Sequence, residues 1–307
     1  MSLLVQPSPE LQINIRKELN EDVNTRDSDL QHIKDWLQKQ PHLPDTWDEQ
    51  RLMTFLRGCK FSLEKTKRKL DMYFTMRAAC PEFFTNRDIN RPELMALKKL
   101  GALPPLPGLT PNGRRVIVMR GNDKDVDTPN LADIMKLVLM VGDVRLAEEQ
   151  VGVAGDVYIL DASVATANHF SKITPTLVKK FLVCVQEAYP VKLKEVHVVN
   201  VSPFVDTIIG WVKPFLKEKI RERIHVHSNL ESLYKFVPKD ILPAEYGGDA
   251  GKIDDINEAW VEKLKEYTQW FKDQESLKAD ESKRPGKPTN YEDLFGLDGS
   301  FRQLTID

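Results

Sequence analysis

Residues 155–201 contain a strand–helix–strand pattern that decides the fold class. The runs GDVYILDA (155–162) and KEVHVVNV (194–201) are short and apolar, and TPTLVKKFLVCVQEAYP (174–190) lies between them. Two strands joined through a helix pair in parallel with a right-handed crossover. Because both strands are apolar on both faces, we expect helices to cover both sides of the sheet. The middle run repeats apolar residues at helical spacing, at Leu177, Phe181, Cys184 with Val185, and Ala188.

The same alternation continues on either side of this stretch. RRVIVMRG (114–121) and RIHVH (223–227) have the composition of short strands, and NLADIMKLVLMVGDVRLAEEQ (130–150) is helical in period. Strands that alternate with helices predict an α/β fold with a mainly parallel sheet flanked by helices.

Composition divides the chain into three parts. Residues 1–100 read as helices separated by breakers, and LGALPPLPGLTPNGR (100–114) is rich in Pro and Gly, as a domain junction would be. We expect an all-α N-terminal module over 1–100 and the α/β domain over 101–275. The remaining residues, 276–307, are polar with a few aromatics, and we expect a C-terminal tail that lies on the body.

Composition also limits the partners and the compartment. The 307 residues are 41% hydrophobic and 29% charged, with a formal net charge of −2, as in a soluble globular protein. This charge argues against nucleic acid as a partner and requires any membrane attraction to be local. No apolar run approaches the ~18–20 residues of a membrane span. The start lacks a secretory signal, and Cys59, Cys80 and Cys184 are scattered, so we expect a cytoplasmic protein with reduced thiols.

Motifs for catalysis are missing from the sequence. It lacks the phosphate-binding G-x-x-x-x-G-K-[ST] loop, a G-x-G-x-x-G after a strand and a G-x-S-x-G elbow. Asp123, Asp125 and Asp127 begin like a calcium loop, but Thr128 and Ile134 stand where that loop needs Gly and Glu. This pattern favours a solvated turn or a helix cap over a calcium site.

Other reactive side chains stand alone. His225 and His227 would share one side of a strand, as a metal pair could, but no third ligand has a suitable spacing, which favours structural histidines. Asp161 could act as a catalytic carboxylate or cap the turn after its strand, and the lack of a nearby nucleophile favours the cap. Cys184 reads as a buried packing thiol. We therefore expect no enzymatic activity, no metal and no cofactor.

The segment VSPFVDTIIGWVKPFLKEKIRERIHVH (201–227) combines an apolar stripe with a basic run. Pro214 should divide it into two short helices. Residues 213–223 hold five Lys or Arg against two Glu. Periodicity alone favours a helix packed on the sheet, whereas the basic run favours docking at an anionic lipid surface. At 100° per residue, four large apolar side chains fall within an arc of about 60°: Phe204, Ile208, Trp211 and Phe215.

Several motifs resemble the CRAL-TRIO lipid-binding family. YPVKLK (189–194), KPFL (213–216) and LPAEYGG (242–248) form a highly specific combination, and GDVYILDA resembles the family's central strand. DEQRLMTFLRGCKFSLEKTKRKL (48–70) resembles the helical module that precedes this domain, so that the likeness covers about residues 45–275. It implies a CRAL-TRIO fold whose sheet and helices enclose an apolar cavity for one lipophilic molecule, such as a tocopherol, a retinoid or a carotenoid.

The resemblance also implies residues for this cavity. The helix that matches 203–216 is a mobile gate in the family, so Phe204, Ile208 and Trp211 would line the closed cavity and touch lipid when the gate opens. The remaining walls would come from the central strand and from two helices: Tyr158 and Leu160; Phe181, Cys184 and Val185; Met135 and Val138.

A basic cleft for phosphoinositide head groups lies beside the gate in the tocopherol-carrying branch of the family. Lys192, Lys219 and Arg223 match its residues, with Lys194 and Lys213 close by. One position departs from the family: its L-R-A-R motif is Leu56-Arg57-Gly58-Cys59 here. Lys60 is the candidate substitute for the missing Arg, with an altered head-group preference as the consequence, because a forked Arg binds phosphate differently from a Lys.

We therefore expect a monomeric, cytoplasmic carrier of a hydrophobic ligand that associates transiently with phosphoinositide-containing membranes. The alternative is a signalling or trafficking adaptor, in which lipid occupancy regulates a protein partner that binds the tail, 276–307.

Overall fold

The computed structural model describes residues 3–122, 130–166, 173–201 and 205–295. The first hundred residues form helices, several of which begin at a proline or a capping side chain; Ser8, for example, accepts a hydrogen bond from the amide of Leu11. Their bounds are α1 Pro9–Leu19, α2 Arg26–Gln38, α3 Glu49–Gly58, α4 Leu63–Ala79, α5 Pro81–Phe84 and α6 Pro92–Leu100.

A sheet in the order β1-β3-β4-β5-β6 forms the centre of the described structure, and β2 also pairs with β3. Strands β3 to β6 run parallel, whereas β1 and β2 are antiparallel to β3. Their bounds are β1 Gly101–Ala102, β2 Pro105–Leu109, β3 Arg114–Gly121, β4 Gly155–Asp161, β5 Leu193–Val199 and β6 Ile224–Val226.

Helices connect and cover these strands. The helix after β4 ends in a π-helical turn, Cys184–Ala188, and a 3₁₀ turn, Lys213–Phe215, divides the apolar segment at Pro214 as predicted. The helices are α7 Leu131–Glu148, α8 Pro175–Val183, α9 Val205–Val212, α10 Glu218–Arg221, α11 Leu230–Leu233, α12 Ile253–Glu266, α13 Thr268–Gln274 and α14 Tyr291–Phe295, with further 3₁₀ turns at Lys239–Ile241, Ala244–Tyr246 and Glu281–Lys283.

The two faces of the sheet are covered differently. One face packs Val116, Val118 and Ile159 tightly against the segment after β6, including Leu233 and Leu242. The opposite face lies toward α7. The chain thus has the predicted α/β architecture, a mainly parallel sheet flanked by helices and preceded by a helical N-terminal part.

A buried ion-pair cluster joins the N-terminal helices to α7. Asp143 is fully buried and accepts hydrogen bonds from Arg51 on α3, at 2.7 Å, and from Arg87, at 2.7 Å. Burial alone would raise the pKa of Asp143, but the two guanidinium groups outweigh it and lower the pKa. Around this cluster one continuous core includes Phe55, Phe74 and the α7 residue Leu139. The helical part and the α/β part therefore share a core.

The described part of the tail packs on this helical body. Arg284 donates two hydrogen bonds to the carboxylate of Asp71, at 2.8 and 2.9 Å. The amide of Ala279 donates to the carbonyl of Phe74, and Phe295 is buried.

Replacing Asp143 by Ala is expected to lower the free energy of unfolding by about 3–5 kcal/mol, because Arg51 and Arg87 would stay buried without a counter-charge. Equilibrium denaturation in urea measures this. Since folding lowers the pKa of Asp143, its carboxylate contributes fully to the free energy of unfolding above about pH 4. This contribution is lost as the pH falls through the pKa of Asp143 in the folded state. The control Asp133→Ala, in the first turn of the same helix, should cost less than about 1 kcal/mol. Equal costs for the two variants would refute the importance of the cluster.

Candidate functional site: an apolar cavity beside a basic cleft

An apolar cavity lies between the sheet and helix α7. It contains about 500 Å³ of unfilled space, part of it open to solvent. The sheet contributes Ile117, Met119 and Tyr158, α7 contributes Val138, Leu139, Val141, Gly142 and Arg145, and the other walls come from Leu103, Pro105, Val185, Tyr189 and Val191.

Two periodicities bring these residues together. Ile117 and Met119 are two apart on β3 and therefore point to the same face, and the parallel register sets Tyr158 beside Ile117 and Leu160 beside Met119. On α7, the cavity residues follow helical spacing. Among the cavity residues of α7, Gly142 borders open space, because a Cβ atom built at this position meets nothing within 4 Å.

One end of the cavity is polar. Arg145 and Asp156 form a buried ion pair there, and the Tyr158 ring lies on the same strand face as Asp156. Burial raises the pKa of Asp156, and the opposing charge of Arg145 reduces this effect without reversing it. Arg145 and Val191 also line a second pocket on the other side, so the cavity and that pocket share a wall.

The cavity residues predicted from the family resemblance lie in two places. Val138, Tyr158 and Val185 line the described cavity. Leu160 is half-buried on the same sheet face as Tyr158. In contrast, Met135, Phe181 and Cys184 belong to the core shared with the N-terminal helices, with Phe181 edge-to-face on Phe83 at 6.2 Å. Their contact with a ligand stays a prediction.

The predicted gate is helix α9 with the turn that follows it. Ile208 and Trp211 are half-buried, and the Trp211 ring contacts that of Phe215 at 5.8 Å. Phe204 lies outside the described residues. Gln186, in the π-helical turn of the cavity wall, holds the far end of this segment: its side chain donates to the carbonyl of Phe215, at 3.1 Å, and accepts from the amide of Lys217, at 3.0 Å.

The second pocket is called the cleft below, and Lys192 is the predicted head-group residue that lines it. The cleft contains about 400 Å³ of unfilled space and is lined by Arg57, Gly58, Gly155 and Lys192, among others. The backbone at Gly58 touches Pro190, since a Cβ atom at Gly58 would come within 2.4 Å of the Pro190 oxygen. This contact requires glycine where the family motif has Ala, and it brings the end of α3 against the strand that carries the lysines.

Two carboxylates, one on helix α1 and one just after it, pair with basic residues around this cleft. Glu18 accepts hydrogen bonds from Lys194, at 2.7 Å, and from Lys60, at 3.3 Å. These lysines, Lys194 first, lower the pKa of Glu18 to about 2. The buried Glu21 makes a forked ion pair with Arg57, at 3.0 and 3.1 Å. Two of the predicted head-group lysines and the first Arg of the motif are therefore already paired within the chain.

Lys192 is the exception in the cleft. Its amino group is buried and has no hydrogen-bond partner among the described residues. Burial, together with repulsion by Lys60 and Lys194, lowers the pKa of Lys192 to about 7. An amine in this state gains most from an anion, because an anion would both pair with it and favour its protonated form.

The remaining predicted head-group residues follow the gate. Lys213 and Lys219 are exposed, and neither forms an ion pair within the described ranges. Arg223 is half-buried and donates to the carbonyl of Leu193, which joins this segment to the strand between Lys192 and Lys194. A contact of Arg223 with a head group stays a prediction.

The other candidate sites have structural explanations or lie outside the description. Asp161 accepts from the amide of Ser163, at 3.0 Å, and from the hydroxyl of Tyr246, at 2.9 Å, as a turn cap does. Cys184 is fully buried, and burial raises the pKa of its thiol. His227 pairs with the buried His197 at 2.8 Å. The acidic cluster at 123–127 lies outside the described residues.

Sequence reasoning missed Arg145, Asp156 and Tyr189 as parts of the site. Asp156 and Arg145 lie on different elements, and only the fold reveals that they pair. The β3 residues Ile117 and Met119 could have been found, since their alternation and the parallel register with β4 fix the face on which they lie.

Comparisons with known proteins agree with this architecture. The family described as "CRAL/TRIO domain" matches residues 103–248, and the one described as "Pinta-like, UBA domain" matches residues 22–94. The human protein named "Alpha-tocopherol transfer protein-like" is 33% identical over 244 residues, which cover 78% of this chain and 70% of the relative. "Clavesin-2" of Rattus norvegicus is 30% identical over 243 residues, which cover 78% and 74%.

The fold and the cavity define an α/β domain of the kind that binds hydrophobic small molecules. The chain belongs to the CRAL/TRIO family of lipid-binding transfer proteins, as its motifs predicted. A solved structure titled "Crystal structure of Sfh5" is 14% identical with a TM-score of 0.44 and covers 82% of this chain and 93% of its own, a likeness too low to add to this assignment. Within the described ranges, no helix has the length and hydrophobicity to cross a membrane.

Replacing Lys192 by Met is expected to stabilise the protein most at low pH. Below about pH 7, Lys192 is charged in both the folded and the unfolded protein, and burying this charge destabilises the folded state. Above about pH 10.4 Lys192 is neutral in both states, so this destabilisation disappears. We expect Lys192→Met to raise the free energy of unfolding by about 1–2 kcal/mol at pH 6 and by less at pH 9. The value is smaller than the full change in pKa would give, because the side chain is partly exposed to solvent. Urea denaturation of both proteins at the two pH values measures it, and a gain independent of pH would contradict the lowered pKa.

Proposed function

We propose that this chain is a cytoplasmic, monomeric carrier, without enzymatic activity, that holds one lipophilic molecule in its apolar cavity and exchanges it at phosphoinositide-containing membranes. The observation that carries the proposal is the position of this cavity beside the cleft that contains the unpaired Lys192, with Arg145 and Val191 in the wall between them. A ligand site and an anion site that share a wall are suited to a protein that exchanges a lipid at an anionic surface.

The cargo side of the proposal rests on the lining of the cavity and on the relatives. Apart from its polar end, the cavity is lined by aliphatic and aromatic side chains, which favour a hydrophobic molecule. A relative named as tocopherol transfer protein-like supports a tocopherol, a retinoid, a carotenoid or a similar isoprenoid lipid as cargo.

The membrane side of the proposal rests on helix α9 and the residues after it. Ile208 and Trp211 present an apolar surface that is only half-buried, and exposed Lys213 and Lys219 follow directly. An apolar helix face beside basic residues binds reversibly at anionic lipid surfaces. In the proposed cycle α9 swings outward into lipid, while Gln186 keeps the segment at 215–217 attached to the body.

Filling the cavity is expected to prevent cargo binding without unfolding the protein. In Gly142→Leu the new side chain would occupy the open space above α7, and removing a glycine from a helix interior adds roughly 0.5–1 kcal/mol of stability. Wild-type protein purified from cells should carry about one lipid per chain by mass spectrometry after solvent extraction, and the variant several-fold less. Gly142→Ala, which adds a single methyl group, is the matched control.

An empty wild-type protein would refute the carrier function. Equal lipid content in wild type and Gly142→Leu would show that the lipid binds somewhere other than this cavity.

Removing the exposed charges after the gate is expected to weaken membrane docking. Because each basic residue near an anionic membrane contributes on the order of 1 kcal/mol, Lys213→Ala with Lys219→Ala should lower affinity for phosphatidylinositol-bisphosphate vesicles by about tenfold to thirtyfold. Flotation at two salt concentrations measures it, and the difference should shrink at high salt. Lys272→Ala with Lys278→Ala removes the same charge from exposed positions elsewhere. If both pairs weaken flotation equally, the docking surface is assigned wrongly.

A further inference from the structure

The C-terminal segment 279–295, called the strap below, connects two parts of the molecule. At its start, the amide of Ala279 donates to the carbonyl of Phe74, at 3.0 Å. The next amide, that of Asp280, donates to the carbonyl of His42, at 2.8 Å. At its other end, helix α14 packs against α8. The strap therefore joins the N-terminal helices to the helix that follows the central strand.

A polar clasp, formed by Asp71, Glu281 and Arg284, fixes the first half of the strap. Arg284 donates two hydrogen bonds to Asp71 on α4 and another to Glu281, at 2.8 Å. Glu281 in turn accepts a hydrogen bond from the amide of Thr289, at 2.8 Å, which closes the residues between them into a loop. Residues 285–288 of this loop are exposed. The clasp thus sets the point from which α14 runs along α8.

Phe295 is the second anchor of the strap. It is buried and belongs to the same core as Val178 on α8. On the same helix, the amino group of Lys180 lies 5.4 Å from the centre of the Phe295 ring and donates to Glu82 on α5, at 2.9 Å. Burial of the ring and the cation over its face both favour this position. Helix α8 is therefore attached to α5 on one side and to the strap on another.

Helix α8 leads directly to the predicted gate. It continues into the π-helical turn, where Val185 lines the cavity. From the same turn, the side chain of Gln186 bonds the backbone of Phe215 and Lys217, at the end of the gate segment. A shift of α8 would therefore move both a wall of the cavity and the residue that holds the gate.

The strap is attached less firmly than the elements it covers. Within 279–295 only Ala279 and Phe295 are buried, and the side chains of the clasp are partly exposed. Segments that bury few side chains open at a lower free energy than the core, and the moving parts of proteins are drawn from such segments. The strap can therefore detach while the sheet and the N-terminal helices stay folded.

We propose that the strap holds α8, and through Gln186 the gate, in the closed position, and that detachment of the strap speeds the release of cargo. This inference rests on the proposed carrier function and adds a control of its gate by the C-terminal segment.

Hydrogen exchange measured by mass spectrometry tests the attachment of α8. The proteins compared are the wild type, Arg284→Gln, which breaks the clasp, and Phe295→Ala, which removes the buried anchor. In both variants the amides of residues 175–188 should exchange about tenfold faster, since one hydrogen bond to a charged group changes an equilibrium by roughly this factor. The central strand β4 should exchange as in the wild type, which shows that the fold is intact.

Lipid release tests the link to the gate. Each protein is purified from cells with its bound lipid and mixed with vesicles of phosphatidylcholine and phosphatidylinositol bisphosphate, and the lipid that reaches the vesicles is quantified by mass spectrometry over time. Both variants should release lipid about tenfold faster than the wild type. Lys283→Gln, at an exposed position of the strap, is the control and should match the wild type in both measurements.

Faster exchange confined to 279–295 would overturn the inference, because the strap would then be a passive attachment. Equal acceleration in β4 and α8 would overturn it as well, since the strap would then stabilise the whole fold. Faster exchange in α8 with unchanged lipid release would refute the control of the gate. If Phe295→Ala does not fold, Arg284→Gln decides alone. Protein from cells without any lipid would refute the carrier function itself, and hydrogen exchange would still decide whether the strap holds α8.

Discussion

The pairing of Asp143 with Arg51 and Arg87 is the interaction on which the cavity depends. Through the side chain of Asp143, one face of helix α7 is bound to the N-terminal part of the chain. Residues 138, 141, 142 and 145 of α7, at helical spacing, are thereby held toward the sheet, where they form one wall of the cavity. A buried pair of this kind adds little stability over a packed apolar core, but removing one partner leaves a buried charge without a counter-charge. The helical N-terminal part therefore acts as a support that sets the position of the cavity wall.

A second buried pair, Arg145 with Asp156, separates the cavity from the cleft. Since Arg145 borders both spaces, an anion in the cleft and a polar group in the cavity would act on the same guanidinium from opposite sides. At the low effective dielectric constant of such a site, charges a few ångströms apart interact more strongly than in water. The shared wall is thus a direct electrostatic connection between the two proposed sites, with no need for a long path through the fold.

The fold could be predicted from the sequence because it depends on periodicity and on short-range breakers. Short apolar runs at 114–121 and 155–161, helical spacing across 130–150 and the interruption at Pro214 each act locally, and each has its expected element. The site was predictable only in part. Val138, Tyr158 and Val185 follow from shared faces, but the pairing of Arg145 with Asp156 joins two elements, and Glu18 meets Lys194 across 176 positions of the chain. Such contacts depend on tertiary packing, which a one-dimensional pattern does not contain.

The departure of Leu56-Arg57-Gly58-Cys59 from the family motif has a physical explanation in the cleft. Gly58 lets α3 approach Pro190 so closely that a side chain at this position would collide with the backbone. Cys59 is buried beside this contact. An Arg there would place a further positive charge near Lys192, whose amine already loses proton affinity through burial and repulsion by two lysines. In place of a forked, permanently charged donor, the cleft therefore has one amine that becomes protonated as the pH falls through about 7.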